Sequence, residues 1–195
     1  MARTARIGPV TRDQVILAFW HEYNLGLYVL AAARRADLPH ASFTTDTPRG
    51  TVIATIFESL ARRPGQVEIL RLPDEADREA ARSLARRLGD LGRTGFSLVV
   101  TPDGPWGPYQ VAKPGALLVA RQSGLPILPM AVRARPAIRL TRRWDRQLLP
   151  LPFSRLELVT GPPIPVPDGQ PLRPLVPALQ QALDAVTAIA GGRLP

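Results

Sequence analysis

The sequence predicts an α/β fold, in which a single domain of 195 residues contains a mostly parallel central sheet flanked by helices. Short apolar runs alternate along the chain with longer segments of helical periodicity, as expected when crossover helices join the strands of one sheet. No internal repeat or low-complexity tract interrupts this alternation, and a chain of this length can bury a sizeable core. We therefore treat residues 1–195 as one domain.

Six strands are predicted from runs of aliphatic and β-branched side chains that end at Pro, Gly or charged residues. They cover residues 15–20, 41–45, 67–70, 96–101, 126–132 and 156–160. Five helices are predicted from apolar residues at intervals of three and four positions. They cover residues 24–35, 51–63, 74–88, 115–122 and 175–189.

Local signals support two of these helices. Asp74 is the predicted N-cap of the third helix, and Gly89 is predicted to end it. The last helix has an apolar stripe that is predicted to pack on the core, made of Leu175, Leu179, Leu183 and Val186.

Two segments fit neither pattern. Residues 134–154 contain five arginines together with Trp144 and Phe153, and residues 161–174 are rich in proline. We predict that both are surface excursions. The apolar run at residues 15–33 is interrupted by His21, Glu22 and Asn24, which argues against a membrane-spanning helix or a secretory signal there.

Composition limits the possible chemistry. The chain has 25 Lys and Arg against 16 Asp and Glu, a net charge of +9, and Lys113 is its only lysine. An arginine excess suits an anionic partner, although a GC-rich genome also produces it. Cysteine is absent and only two histidines occur, so thiolate chemistry and Cys-ligated zinc are excluded and a His-rich metal site is not expected. No nucleic-acid-binding motif is present, and we expect no nucleic-acid partner.

Four polar residues follow or end predicted strands: His21, Asp46, Arg71 and Asp103. In a parallel sheet, ligands bind outside the carboxyl ends of the strands, so these side chains are predicted to converge on one edge. A histidine there is the obvious general base. Each residue also has a structural alternative. These are a core histidine for His21, an acid of a helix N-terminal loop for Asp46, a solvated strand end for Arg71 and a turn acid for Asp103.

No Gly-x-Ser-x-Gly elbow accompanies these residues, which favours base-assisted attack by a substrate hydroxyl over a covalent serine or cysteine route. The segment at residues 101–108, TPDGPWGP, holds Asp103 between prolines and glycines. Such stiffening predicts that this carboxylate is kept in a fixed place.

Three stretches resemble one known family. Residues 101–132 read TPDGPWGPYQVAKPGALLVARQSGLPILPMAV, residues 144–166 read WDRQLLPLPFSRLELVTGPPIPV, and residues 19–25 read FWHEYNL. They resemble the DUF374 group of lysophospholipid acyltransferase-like proteins, which carry comparable Thr-Pro-Asp-Gly-Pro-x-Gly-Pro, Trp-Asp and Trp-His segments. The resemblance covers most of residues 15–167 and is strongest over 96–167.

The resemblance implies an acyltransferase of phospholipid metabolism. An acyl thioester, on coenzyme A or acyl carrier protein, would be attacked by a hydroxyl of a lysophospholipid or related glycerolipid. Both are substrates, and no bound cofactor or metal is expected. His21 is then the general base, Asp103 and Gly104 help to shape the acceptor pocket, and Arg71 and Lys113 contact the substrate.

The resemblance and the positive charge together imply a cytoplasmic protein that lies peripherally on the inner face of the membrane. The basic segment at residues 134–154 is expected to rest on anionic headgroups there.

One departure from the superfamily pattern bears on the site. The superfamily pairs its histidine with an aspartate five residues later, where this chain has Gly26. We expect Asp46 to supply that carboxylate from the neighbouring strand end, with Glu22 as the weaker substitute. The alternative reading is a non-catalytic lipid- or phosphate-binding relative whose site has decayed.

Overall fold

Two short buried strands lie at the centre of the sheet. The computed structural model describes residues 6–7, 14–27, 39–59, 61, 63–75 and 77–191. Its strands are β1 Arg6–Ile7, β2 Ile16–Ala18, β3 His40–Thr45, β4 Val67–Leu72, β5 Ser97–Val100, β6 Ile127–Arg139 and β7 Leu148–Thr160. Its helices are α1 Pro48–Ser59, α2 Arg78–Arg93, α3 Gly115–Ser123 and α4 Val176–Gly191, with 3-10 turns at His21–Tyr23 and Arg173–Leu175.

The strands form one sheet in the spatial order β1-β7-β6-β2-β5-β3-β4. Every neighbouring pair is parallel except β6 and β7, which are antiparallel. All four residues of β5 are buried, as expected for a parallel strand that is covered on both faces. The predicted α/β fold with a mostly parallel sheet flanked by helices is therefore confirmed.

All six predicted strands are present, and β1 is an additional two-residue strand. The first predicted helix begins at Asn24 and is described as far as Leu27, so the rest of the predicted range lies outside the described residues. The apolar stripe of the last helix is confirmed at Leu179, Leu183 and Val186, which are buried as α4 packs on β6 and β7.

The boundaries of α2 differ from the prediction. Asp77 rather than Asp74 is the N-cap, and its side chain accepts hydrogen bonds from the backbone N–H groups of Glu79 and Ala80. Gly89 does not end the helix, which continues to Arg93. A Cβ at residue 89 would lie 2.4 Å from Cβ of Gln122, so glycine is needed there for the close crossing of α2 and α3.

The segment at residues 134–154, which we predicted to be a surface excursion outside the strand pattern, consists largely of regular strands. Its ends extend β6 and β7 into a long antiparallel hairpin, with a shift in pairing register between Arg135 and Ala137. A two-stranded ribbon leaves many of its side chains in water, so it needs no apolar alternation, and Pro136 falls at the irregularity where a strand tolerates proline. Residues 161–174 are mostly exposed, in agreement with the prediction, although Ile164 forms an isolated bridge with Ile127.

No helix within the described part of the chain is long and apolar enough to cross a membrane.

Candidate active site

Two neighbouring strands place His21 and Asp103 side by side. In the parallel pair of β2 and β5, Ala18 lies opposite Val100. His21 follows Ala18 by three residues and Asp103 follows Val100 by three residues, so both side chains emerge at the same edge of the sheet. Nδ1 of His21 lies 2.6 Å from Oδ1 of Asp103, and the backbone N–H of His21 donates to Oδ2 at 3.3 Å.

This contact fixes the tautomer of the neutral imidazole. Asp103 has no exposed side-chain surface, while the His21 side chain is 16% exposed. An ionised carboxylate can only accept hydrogen bonds, so Nδ1 of His21 carries the proton and Nε2 of the neutral ring is left as an acceptor. The hydroxyl of Thr101 lies 3.2 Å from Nε2 and is therefore the donor in that hydrogen bond. His21 thus has the arrangement of an oriented general base.

The loop that carries Asp103 is held by backbone hydrogen bonds. The N–H of Gly104 donates to the carbonyl of Thr101 at 3.0 Å, and the N–H of Lys113 donates to that of Pro102 at 2.9 Å. Gly104 has a φ of 70°, and a Cβ at this position would lie 3.1 Å from Nζ of Lys113. The structure therefore places the predicted residues Gly104 and Lys113 together, beside the turn that positions Asp103.

Glu22 is buried next to His21 but has other partners. Its carboxylate accepts hydrogen bonds from the hydroxyl of Tyr109 at 3.0 Å and the amide of Gln110 at 2.6 Å, and it forms a salt bridge with Arg139. Burial raises the pKa of Tyr109, which keeps its phenol protonated as a donor. Glu22 thus ties the loop around residue 110 to the hairpin, and is not the substitute carboxylate that the sequence suggested.

The tip of the hairpin contributes residues that the sequence did not reveal. The ring of Trp144 lies against His21, with centroids 5.1 Å apart and planes tilted by 58°. Asp145, which is fully buried, forms two hydrogen bonds with Arg143, at 2.9 and 2.7 Å, and contacts Arg49 of α1 at 3.5 Å. The Trp-Asp pair contributed to the family resemblance, but nothing in the sequence assigned it to this site.

The electrostatics of Asp145 show how closely these groups are assembled. Burial acts to raise the pKa of its carboxyl. The hydrogen bonds and charge of Arg143, the charge of Arg49 and the charge of His21 when it is protonated together outweigh burial, so the pKa lies below its ordinary value. Asp145 is therefore a buried negative charge whose ionisation depends on the surrounding cations.

A cleft opens beside His21. Its polar lining is made by His21, Asn24, Ser42, Thr44, Thr45, Arg49 and Thr101, and its apolar lining by Phe19, Phe43, Ile53, Phe57, Val99, Pro105 and Trp144. The base and several apolar side chains thus line the same space, which suits a substrate that carries both a reactive polar group and a hydrocarbon part.

The other two predicted residues stand apart from this cleft. Asp46 is exposed, and its backbone N–H donates to the carbonyl of Leu72. Among the described contacts of His21, Asp103 occupies the position that we predicted for Asp46, because β5 rather than β3 is the neighbour of β2. Arg71 lies within β4, opposite Thr44, and its Nη1 is buried without a hydrogen-bond partner in the described structure.

The described residues contain no group of three or more His, Asp or Glu side chains that could hold a metal ion.

Comparison with known proteins gives one distant relative. The chain is 25% identical over 151 residues to an uncharacterized protein, RP090, of Rickettsia prowazekii (strain Madrid E). The match covers 77% of this chain but 63% of the relative, so the chain spans less than two thirds of that protein's length. No family model matches the chain, and no solved structure matches it.

Proposed function

We propose that the protein transfers an acyl group from an acyl thioester, carried by coenzyme A or acyl carrier protein, to a hydroxyl of a lysophospholipid or related glycerolipid. The observation that carries the proposal is the His21–Asp103 pair, whose histidine lines a cleft together with apolar side chains. Such a pair activates a hydroxyl, and apolar side chains beside it suit the hydrocarbon part of an acyl donor.

The chemistry follows from the tautomer of His21. Nε2 removes the proton of the attacking hydroxyl as its oxygen forms a bond to the thioester carbonyl carbon. The resulting imidazolium is stabilised by the Asp103 carboxylate at Nδ1, 2.6 Å away. The C–S bond then breaks, and the leaving thiolate takes the proton back from Nε2. Asp103 acts here through His21, so its role in the proposal is to position and charge-stabilise the base rather than to shape the acceptor pocket.

Arg49 is the cation best placed for an anionic group of the substrate. It lines the cleft, its side chain is 56% exposed, and its Nη2 lies 3.5 Å from Oδ2 of Asp145. Arg71 and Lys113, to which the sequence assigned this contact, are not part of the cleft lining. The proposal therefore assigns the substrate anion to Arg49, with the guanidinium fork as the recognising group.

The hairpin supplies the surface that we propose to rest on an anionic membrane at its cytoplasmic face. Exposed apolar side chains at Ile138, Leu149 and Phe153, the last of them 98% exposed, lie beside several arginines. Each cation near such a surface contributes roughly 1 kcal/mol to membrane association. Flotation with vesicles of phosphatidylcholine, with and without phosphatidylglycerol, tests this surface. Phe153→Ser should weaken binding to the anionic vesicles, whereas Val52→Ser on α1 should not.

The test of the activity is transfer of a labelled acyl group from a panel of acyl-coenzyme A and acyl carrier protein donors to lysophospholipids and other hydroxyl acceptors. We expect the wild type to produce a labelled lipid and His21→Ala to lose about 10²- to 10⁴-fold in rate while remaining folded. A folded wild-type protein that binds lipid but transfers nothing across the panel would contradict the proposal and favour the non-catalytic reading.

A further inference from the structure

Thr101 extends the His21–Asp103 pair into a chain of three side chains. Its Oγ1 lies 3.2 Å from Nε2 of His21, and Nδ1 of His21 lies 2.6 Å from Oδ1 of Asp103. A hydroxyl, a base and a carboxylate within hydrogen-bond reach in this order are the signature of an activated nucleophile. The sequence did not indicate a nucleophile here, because it lacks the Gly-x-Ser-x-Gly elbow that is typical of one.

The position of Thr101 suits attack on a bound thioester. The residue directly follows β5, so it stands at the carboxyl end of a central strand, and it lines the cleft together with Val99 and Pro105. Pro102 has a fixed φ, and the turn after it is closed by the hydrogen bond from the N–H of Gly104 to the carbonyl of Thr101. The backbone on both sides of the hydroxyl is thus constrained.

We infer that Thr101 is a catalytic nucleophile and that acyl transfer in this protein passes through an acyl-threonine ester. The inference rests on the proposed acyl transfer and deepens it, because it replaces a direct attack by the acceptor with two successive transfers. His21 serves as the base in both, and the ligand that the site takes first is the acyl thioester alone.

The two steps balance without any further reactant. In the first, Oγ1 of Thr101 attacks the thioester carbonyl, its proton passes to Nε2 of His21, the C–S bond breaks, and the thiolate leaves as a thiol with that proton. In the second, the acceptor hydroxyl gives its proton to Nε2 and attacks the acyl-threonine carbonyl. The bond between the acyl carbon and Oγ1 then breaks, and Oγ1 recovers the proton from His21.

Direct transfer makes a different prediction about the same hydroxyl. There Thr101 only occupies the place of the acceptor hydroxyl, so its removal leaves the base intact and the acyl group never becomes bound to the protein. The covalent route requires the donor alone to acylate Thr101, with release of one thiol before any acceptor is added. Ping-pong kinetics and a burst of thiol then follow.

The experiment is a single-turnover reaction with acyl-coenzyme A and no acceptor, stopped with acid and analysed by peptide mass spectrometry. We expect the peptide with Thr101 to gain the mass of the acyl group less one hydrogen. Thr101→Ser should keep this adduct, and Thr101→Val should lose it together with roughly 10³-fold or more of the transfer rate. The control is Thr94→Val, which removes a hydroxyl that donates a hydrogen bond to the backbone carbonyl of Leu91 at the end of α2. This variant should behave as the wild type.

The outcomes separate this inference from the proposed function. If the wild type transfers acyl groups without an adduct and Thr101→Val transfers equally well, the nucleophile is refuted and direct transfer stands. If no thioester reacts, the activated ester p-nitrophenyl octanoate tests the hydroxyl independently of the natural donor. Acylation of Thr101 by that ester supports its role as the nucleophile. If the folded wild type is not acylated, both this role and the proposed activity are refuted.

Discussion

His21 and Asp103 are 82 positions apart in the chain, yet Nδ1 of the first lies 2.6 Å from Oδ1 of the second. The contact exists because β2 and β5 are parallel neighbours and each residue follows its strand by the same number of positions. It gives the site a base whose tautomer is fixed by a fully buried carboxylate. The contacts of the surrounding loop and hairpin hold this pair in place.

Glu22 should stabilise the loop that carries Asp103. It is 1% exposed and binds Tyr109, Gln110 and Arg139. Glu22→Gln leaves Arg139 without its ion pair, and because Arg139 is partly exposed we expect a loss of roughly 1–3 kcal/mol in the free energy of unfolding. Urea denaturation measures this loss. The exposed Glu58→Gln is the control, and equal stability of the two variants would contradict the role given to Glu22.

Asp145 should make the protein sensitive to acid. Its pKa in the folded state lies below the ordinary value, so its contribution to stability is complete above the unfolded pKa of about 4 and is lost as the pH falls through the folded value. In Asp145→Asn this component is missing, so the free energy of unfolding should fall less steeply below about pH 4 than in the wild type. Urea unfolding at a series of pH values measures both slopes. Equal slopes in the wild type and in Asp145→Asn would show that ionisation of Asp145 is not coupled to folding.

Gly107 should be required for the position of Trp144. Its φ is 69°, and a Cβ there would lie 2.8 Å from Cε3 of the Trp144 ring. Gly107→Ala therefore combines backbone strain with displacement of the ring that lies against His21. We expect it to lower the free energy of unfolding by roughly 1–3 kcal/mol. Gly169→Ala is the matched control for backbone strain alone, because φ there is 77° but a Cβ at that position meets no atom within 4 Å.

Thermal unfolding and the near-ultraviolet circular dichroism of the tryptophans measure the effect. An unchanged spectrum and melting temperature in Gly107→Ala would contradict the packing of Trp144 on the site.

Much of the fold could be predicted from the sequence because it depends on local patterns. Apolar runs located the strands, and their carboxyl ends indicated the edge where His21 and Asp103 meet. The pairing itself could not be predicted, since it depends on the order of strands in the sheet. Asp46 follows the next strand along the chain, but β5 lies between β2 and β3 and brings Asp103 to His21 instead.

The hairpin shows a second limit of sequence analysis. Residues 134–154 are rich in arginine and proline and lack the alternation of a half-buried strand, so they read as an excursion. Their pairing nevertheless brings Trp144 into the lining of the cleft, with Asp145 buried next to it. The position of a hairpin tip relative to a distant strand end depends on long-range packing, which local periodicity does not contain.

The most direct measurement compares the rates of acyl transfer by Asp103→Asn and Asp46→Asn with that of the wild type, after thermal unfolding has shown that both variants are folded. Asp103→Asn should lower kcat by about 10²- to 10⁴-fold with little change in KM, because an amide cannot hold His21 in the tautomer that leaves Nε2 free to accept a proton. Asp46 is exposed and makes no described contact with His21, so Asp46→Asn should retain nearly full activity. Full activity in Asp103→Asn, or a collapse in Asp46→Asn alone, would contradict the account.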